Sequence, residues 1–265
     1  MTIYISVVSH GHKDIIEKIN CLPSLTNDMS IKIFILDNVG ENGLMLYCKQ
    51  HEISYLNNNY QKGFGENNNI IFSHIENNIG FKSDDYFLIL NPDVKVDLPS
   101  ILKICEVSDK NRSQLSTINL YKDDKYKAFD YCVRMFPNII DFVSSYLGLG
   151  NKTIIEKSQV TEPIEVDWAA GSFLLFKASL YNRLGGFDPD YFMYCEDIDI
   201  CWRSNTLFHQ KLTFFPEIKA IHYAQHANRS IFSKHFFWHV KSMLRYLSLY
   251  YGIRKPNGIK EKKNA

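Results

Sequence analysis

The 265-residue sequence has no CxxC pair, no linker rich in Pro, Gly or Ser, no internal repeat and almost no net charge. Each lack removes a class of protein. Cys21, Cys48, Cys105, Cys132, Cys195 and Cys201 stand apart, a scatter that fits reduced cytoplasmic thiols better than a disulfide framework or a zinc site. A net charge of +1 gives no global reason to expect a nucleic-acid partner. The longest apolar run, Trp168 to Phe176, is about half of the ~20 residues a spanning helix needs. Ile3 to Val8 is too short for an export signal and has no basic residue before it. No Ser/His/Asp or Cys/His arrangement offers a covalent nucleophile.

What remains is a folded chain. Hydrophobic residues make up 45% and charged residues 22%, enough for one large core with a small appendage. The near-zero net charge hides an asymmetry: residues 1–228 hold 28 acidic and 21 basic side chains, residues 229–265 one acidic and nine basic. The division expected is therefore a domain over 1–228, with halves at about 1–95 and 96–228, and a basic extension over 229–265.

Apolar runs and turn residues alternate through the first 95 residues. Strands are expected at Ile3–Val8, Ile31–Leu36, Ile53–Leu56 and Tyr86–Leu90, with helices from Lys13 to Asn20, Leu44 to Gln50 and Glu66 to Glu76. Such alternation predicts βαβ units and a parallel sheet, whose ligands sit beyond the carboxyl ends of the strands. That singles out Ser9-His10, Asp37-Asn38 and Asn91 to Asp93. Residues 97–160 are less legible, beyond a strand at Leu115–Tyr121 and a helix at Ile139–Leu147. Then come a strand-like run, Ile164–Lys177, a helix at Ala178–Leu184, the Gly185–Pro189 turn, a helix from Glu196, and strands at Leu212–Phe215 and Ile218–Tyr223. In the extension, Phe236, Val240, Met243, Leu247 and Tyr250 share one helical face, opposite Lys234, Lys241 and Arg245. Two readings are open: a surface helix packed on the core, or a helix in a membrane interface assisted by Arg254, Lys255, Lys260, Lys262 and Lys263.

Residues 185–203 carry the densest chemistry, with five carboxylates among aromatics. Asp199 and Arg203 read as an i,i+4 helix pair. Glu196 and Asp197 are adjacent and set among Phe192, Met193 and Tyr194, where mutual repulsion and an apolar setting raise a carboxyl pKa toward that of a general base. Asp93 reads equally as an Asx-turn residue or as an oxygen ligand for Mg²⁺ or Mn²⁺ shared with substrate phosphates. His222 and His226 follow a strand and need not share a metal. Gly63 to Asn68 departs from a dinucleotide loop, since Asn68 stands where the last glycine belongs.

In order, Val7-Val8-Ser9-His10, Leu36-Asp37-Asn38, Gly63-Phe64, Leu90-Asn91-Pro92-Asp93, Gly171, Gly186-Phe187-Asp188 through Asp199, and His222 resemble the family 2 inverting glycosyltransferases, and among them bacterial rhamnosyltransferases of O-antigen and cell-wall assembly. The resemblance implies a GT-A fold: an α/β protein with a Rossmann-like mixed sheet flanked by helices. It implies Asp197 as catalytic base with Glu196 beside it, and Ser9, Asp37, Gly63, Asp93 and Gly171 at the donor. Asp93 and His222 would hold Mg²⁺ or Mn²⁺, with Asn91 in place of the first acid of the metal motif. The implied reaction moves L-rhamnose from dTDP-L-rhamnose to a lipid-linked saccharide at the inner face of the cytoplasmic membrane, with residues 231–263 holding the enzyme there. The alternatives are a UDP-hexose donor, a glycoside hydrolase using two carboxylates, or a non-catalytic sugar-binding scaffold.

Overall fold

A computed structural model describes residues 1–224, 234–257 and 259. The chain begins with β1 (Ile3–Ser9), α1 (Lys13–Ile19), α2 (Leu22–Leu25), β2 (Ile31–Asp37), α3 (Leu44–Gln50), β3 (Ser54–Asn57), α4 (Phe64–Asn78) and β4 (Tyr86–Leu90). The expected alternation is present, and β1 and β4 are buried along their whole length, as continuous apolar runs in a covered parallel sheet should be. There follow β5 (Val94–Lys95), α5 (Leu98–Lys110), β6 (Leu115–Tyr121), β7 (Val133–Arg134), α6 (Ile139–Tyr146), β8 (Ile164–Val166), β9 (Trp168–Ala169) and β10 (Phe173–Lys177). The last elements are α7 (Ala178–Leu184), α8 (Glu196–Phe208), β11 (Leu212–His222) and α9 (Lys234–Tyr250).

Among the described residues, one mixed sheet runs β3-β2-β1-β4-β10-β6-β11-β5, with β8 also on β11, while β7 and β9 pair separately. β3, β2, β1 and β4 are mutually parallel. β10 is antiparallel to β4 and β6, and β11 is parallel to β6. The carboxyl ends of β1, β2, β4 and β11 and the amino end of β10 therefore meet at one edge. Ser9, Asp37 and His222 end three of those strands.

Several elements differ from the sequence expectation. The run Ile164–Lys177 is three strands in two sheets, because the Asp167 carboxylate accepts from the Phe136 amide at 2.7 Å and Gly171-Ser172 breaks the ladder again. Leu212–Phe215 and Ile218–Tyr223 are one strand with a register shift between Phe215 and Lys219. Pro216, which has no amide to donate, lies in that shift. Helix α5 was unforeseen, although Asp97 caps it by accepting from the Ser100 amide and Pro99 sits in its first turn.

The extension helix packs on the core. Tyr246, Leu247 and Leu249 are buried, and Met243 packs against the main hydrophobic cluster. Lys234 and Lys241 are exposed as expected, but Arg245 is not part of a free basic face: it pairs with Asp188 at 2.8 Å and with Asp190. The reason is electrostatic, since the Asp188 carboxylate is fully buried and a buried charge needs a partner. His226, Lys260, Lys262 and Lys263 lie outside the described residues.

Candidate active site

β4 ends at Leu90, and Asn91-Pro92 carry the chain over the sheet edge to Asp93. The Asn91 amide donates to the Ser172 carbonyl at 3.0 Å, and the Tyr223 amide to the Asp93 carbonyl at 3.1 Å. These bonds tie three strand ends, β4, β10 and β11, around one point. Across it, His222 Nε2 lies 3.3 Å from Asp93 Oδ1, and its Nδ1 lies 2.6 Å from Asp130 Oδ2. Burial alone lowers the imidazole pKa, but the two carboxylates outweigh burial and push it up to about 9. Burial likewise opposes the charges of Asp93 and Asp130, and His222 holds both below the usual carboxylate range.

Asp93 Oδ1 is buried and accepts no hydrogen bond; the imidazole is near it without hydrogen-bond geometry. An anionic oxygen left in that state, beside an imidazole nitrogen, fits a divalent cation, which on binding would displace the Nε2 proton that the two carboxylates favour. Asp93 and His222 would be its protein ligands, and phosphate oxygens and water would complete the shell. Among the described residues no cluster of three His, Cys, Asp or Glu is arranged for a metal.

The second carboxylate centre starts α8. Gly185 and Gly186 turn the chain at φ 69° and 70°, and Tyr194 and Cys195 are also left-handed, at 73° and 62°. Two consecutive non-glycine residues in that region cost about 1–3 kcal/mol each, and here they aim the first turn of α8 at the sheet edge. Glu196 is buried and Asp197 half-buried. The Gly171 amide donates to Asp197 Oδ2 at 3.3 Å, and the Ile198 amide to Oδ1 at 2.9 Å. Burial raises the Asp197 pKa against these two amides. Glu196 is raised by burial and by the Asp197 charge, and its Oε2 accepts nothing.

Asp199 and Arg203 form the expected pair at 2.6 Å, fully buried. The guanidinium also donates to the carbonyls of Leu184 at 2.7 Å and Gly186 at 2.9 Å, so the pair clamps the turn before α8. Arg203→Met removes the nearer of two charge partners of a buried carboxylate, Arg254 remaining at 3.4 Å, and we expect a loss of about 3 kcal/mol, seen as a lowered Tm and denaturation midpoint.

Asp37 is fully buried and accepts from the amides of Val39, Gly40 and Glu41 and from the Tyr55 hydroxyl. Four donors occupy its lone pairs, so it shapes the 38–41 turn. Ser9 is buried and donates to Glu41, bracing the same turn. At Gly63 a Cβ would come within 2.4 Å of the Phe192 carbonyl oxygen, and at Gly171 within 2.8 Å of the Phe64 ring. These glycines allow the start of α4 to close against the α8 motif. The sequence missed Asp130, an isolated acid in the segment without periodicity. The hollows of about 280 Å³ beside Asp109 and about 480 Å³ beside Lys219 contain neither Asp93 nor Asp197.

No protein-family model matches the chain. Rhamnosyltransferase WbbL of Escherichia coli strain K12 is 41% identical over 248 residues, covering 93% of this chain and 92% of that protein. The N-acetylglucosaminyl-diphospho-decaprenol L-rhamnosyltransferase of Mycobacterium tuberculosis is 26% identical over 172 residues, 62% of this chain and 55% of its own. Among solved structures, GalNAc-T7 with UDP, GalNAc and Mn²⁺ superposes with a TM-score of 0.59 at 14% identity, covering 94% of this chain and 48% of that one. That last likeness is one of fold.

Proposed function

The chain belongs to the rhamnosyltransferases of glycan biosynthesis, on a GT-A fold, and from that membership we propose that it moves L-rhamnose from dTDP-L-rhamnose to a lipid-linked saccharide with inversion at the anomeric carbon. The observation carrying this is one arrangement: Asp93 with His222, and Asp197, stand at the same sheet edge, linked through Asn91, Ser172 and Gly171. One end suits a diphosphate and the other an acceptor hydroxyl. The relative named for a diphospho-decaprenol acceptor supports the lipid carrier.

In the transfer, a free lone pair of the Asp197 carboxylate takes the proton of the acceptor hydroxyl. The amides of Gly171 and Ile198 fix the carboxylate plane, and burial makes it more basic than a solvated aspartate. The acceptor oxygen bonds to the anomeric carbon as the bond to the diphosphate breaks on the other face, so a single displacement inverts the centre. Asp93 and His222 receive the leaving diphosphate, Asp130 holding the imidazole by Nδ1 so that Nε2 faces Asp93. Mg²⁺ or Mn²⁺ bound there supplies neutralisation of the diphosphate charge. Ser9 and Asp37 build the rim against which the nucleotide rests, and Gly63 lets that rim close on the α8 motif.

Calorimetric titration with dTDP and with UDP, each with and without Mn²⁺, tests the donor. The expected result is dTDP binding that Mn²⁺ strengthens, with UDP weaker. A preference for UDP replaces the donor and keeps the chemistry; binding of neither overturns the transferase reading of this edge. The proposed location is the inner face of the cytoplasmic membrane, with residues 231–263 contributing. Among the described residues no helix is long and apolar enough to cross a membrane.

A further inference from the structure

Several exposed apolar side chains lie on two neighbouring helices. On α6 and the turn after it, Ile140, Val143, Leu147 and Leu149 are between 50% and 75% exposed, and on α9 Phe237 and Leu244 are 61% and 58% exposed. The two helices are neighbours. Phe142 packs its ring against His239 and Tyr246, and Tyr146 against Phe236 and His239. As the α6 number rises the α9 number falls, so the helices run antiparallel and Leu147 lies near the Lys234 end of α9. Their inner faces are spent on each other and on the core. Their outer faces carry the exposed apolar side chains, a grouping that can mark an interaction surface.

We propose that this surface seats in the headgroup region of an anionic bilayer, with α6 as the apolar wedge and α9 as its basic flank. The inference rests on the lipid-linked acceptor reading and moves the membrane contact from the basic tail to a helix in the body of the enzyme. Charge carries the choice of occupant. Residues 139–152 and 234–257 contain one acid, Asp141, and its carboxylate is turned back to accept from the Asn138 amide at 2.9 Å. Lys152, Lys234, Lys241 and Lys255 are exposed, whereas Arg245 and Arg254 are consumed by Asp188. Exposed apolar side chains with exposed lysines on the same segments suit lipid with anionic headgroups, to which lysine ammonium groups can reach past their apolar stems. A second copy docked on the same face would set lysines against lysines. α6 has eight residues, so its contact is shallow.

The placement also serves the reaction. α6 follows β7, which pairs with β9 just before Gly171. α9 holds the α8 motif through Ser242, which donates to the Met193 carbonyl at 2.8 Å, and through Trp238 against Phe192. The segments that flank Asp197 are those that would touch the bilayer. A saccharide standing on a lipid carrier then reaches the base without the carrier leaving the membrane.

The test is flotation of the full chain with phosphatidylcholine vesicles and with mixed phosphatidylcholine/phosphatidylglycerol vesicles. The parent protein binds the mixed vesicles, and the Ile140→Glu/Leu147→Glu double variant binds them roughly tenfold more weakly or worse, with unchanged Tm and dTDP titration because both side chains are exposed. Lys234→Glu/Lys241→Glu removes the preference for phosphatidylglycerol. A double variant that floats like the parent overturns the proposal, as does a parent that ignores both vesicles. So does a parent dimeric by light scattering whose double variant is monomeric, since the face would then be a self-interface. Loss of dTDP binding in the parent with vesicle dependence intact removes the donor reading alone. Transfer from dTDP-rhamnose to a lipid-linked acceptor in vesicles that is as fast in the Ile140→Glu/Leu147→Glu variant as in the parent removes the surface alone.

Discussion

Asp197→Asn lowers kcat by about a thousandfold or more while leaving dTDP affinity unchanged. The magnitude is that of a lost general base, typically 10²–10⁴-fold. The substitution keeps the volume beside Gly171 and removes the group that accepts the proton, on the acceptor side, away from Asp93. Rate and donor affinity therefore separate, and a variant losing both would mean that Asp197 holds the donor. The pH profile supplies a second reading. Burial raises the Asp197 pKa, and the base works only when deprotonated. Activity thus falls as pH drops through a value above the ordinary aspartate pKa of about 3.9, and the acid limb of kcat/KM sits on the neutral side of it. Because Glu196 is raised beside it, the limb reports the pair as a unit. A limb at the ordinary aspartate position would show a carboxylate open to water and sink the tuned-base assignment.

Asp93→Ala abolishes the strengthening of dTDP binding by Mn²⁺ and, with it, turnover. The side chain supplies the one anionic oxygen of the pair and the buried atom that otherwise lacks a donor. Asp130→Asn gives a graded version. It leaves both ligands in place and loosens the imidazole that Asp130 orients at 2.6 Å, so Mn²⁺ affinity in the dTDP complex drops about 10–100-fold. Titration of Mn²⁺ into the dTDP-saturated variants, followed by electron paramagnetic resonance, distinguishes the two. Equal losses would make Asp130 a ligand in its own right; no loss in Asp130→Asn would make its bond to His222 structural only.

The sequence disclosed most where neighbours in the chain are neighbours in space. The βαβ run to residue 95 was legible because each buried strand is a continuous apolar run closed by polar residues, and Glu196-Asp197 because both carboxylates sit in a single helical turn. Asp130 was not legible: it reaches His222 across 92 residues, and nothing local marks it. Asp37 was picked out correctly as a strand-end acid, but sequence cannot show that four donors turn its carboxylate inward. A helical wheel found the two faces of α9 and could not say that Arg245 would be drawn to Asp188, since that pull comes from a buried charge 57 residues away. α5 is the exception, with its cap, its proline and its apolar spacing all local.

The bonds from Arg245 and Arg254 to Asp188 also set an order of events during synthesis. Asp188 leads the turn into α8, and its charge is buried against guanidinium groups encoded more than fifty residues later. A ribosome that has made α8 has not yet made those partners, so the nascent chain holds Glu196 and Asp197 behind a turn whose own charge is uncompensated. The turn gains its compensating charges only after residues 245 and 254 have left the ribosome.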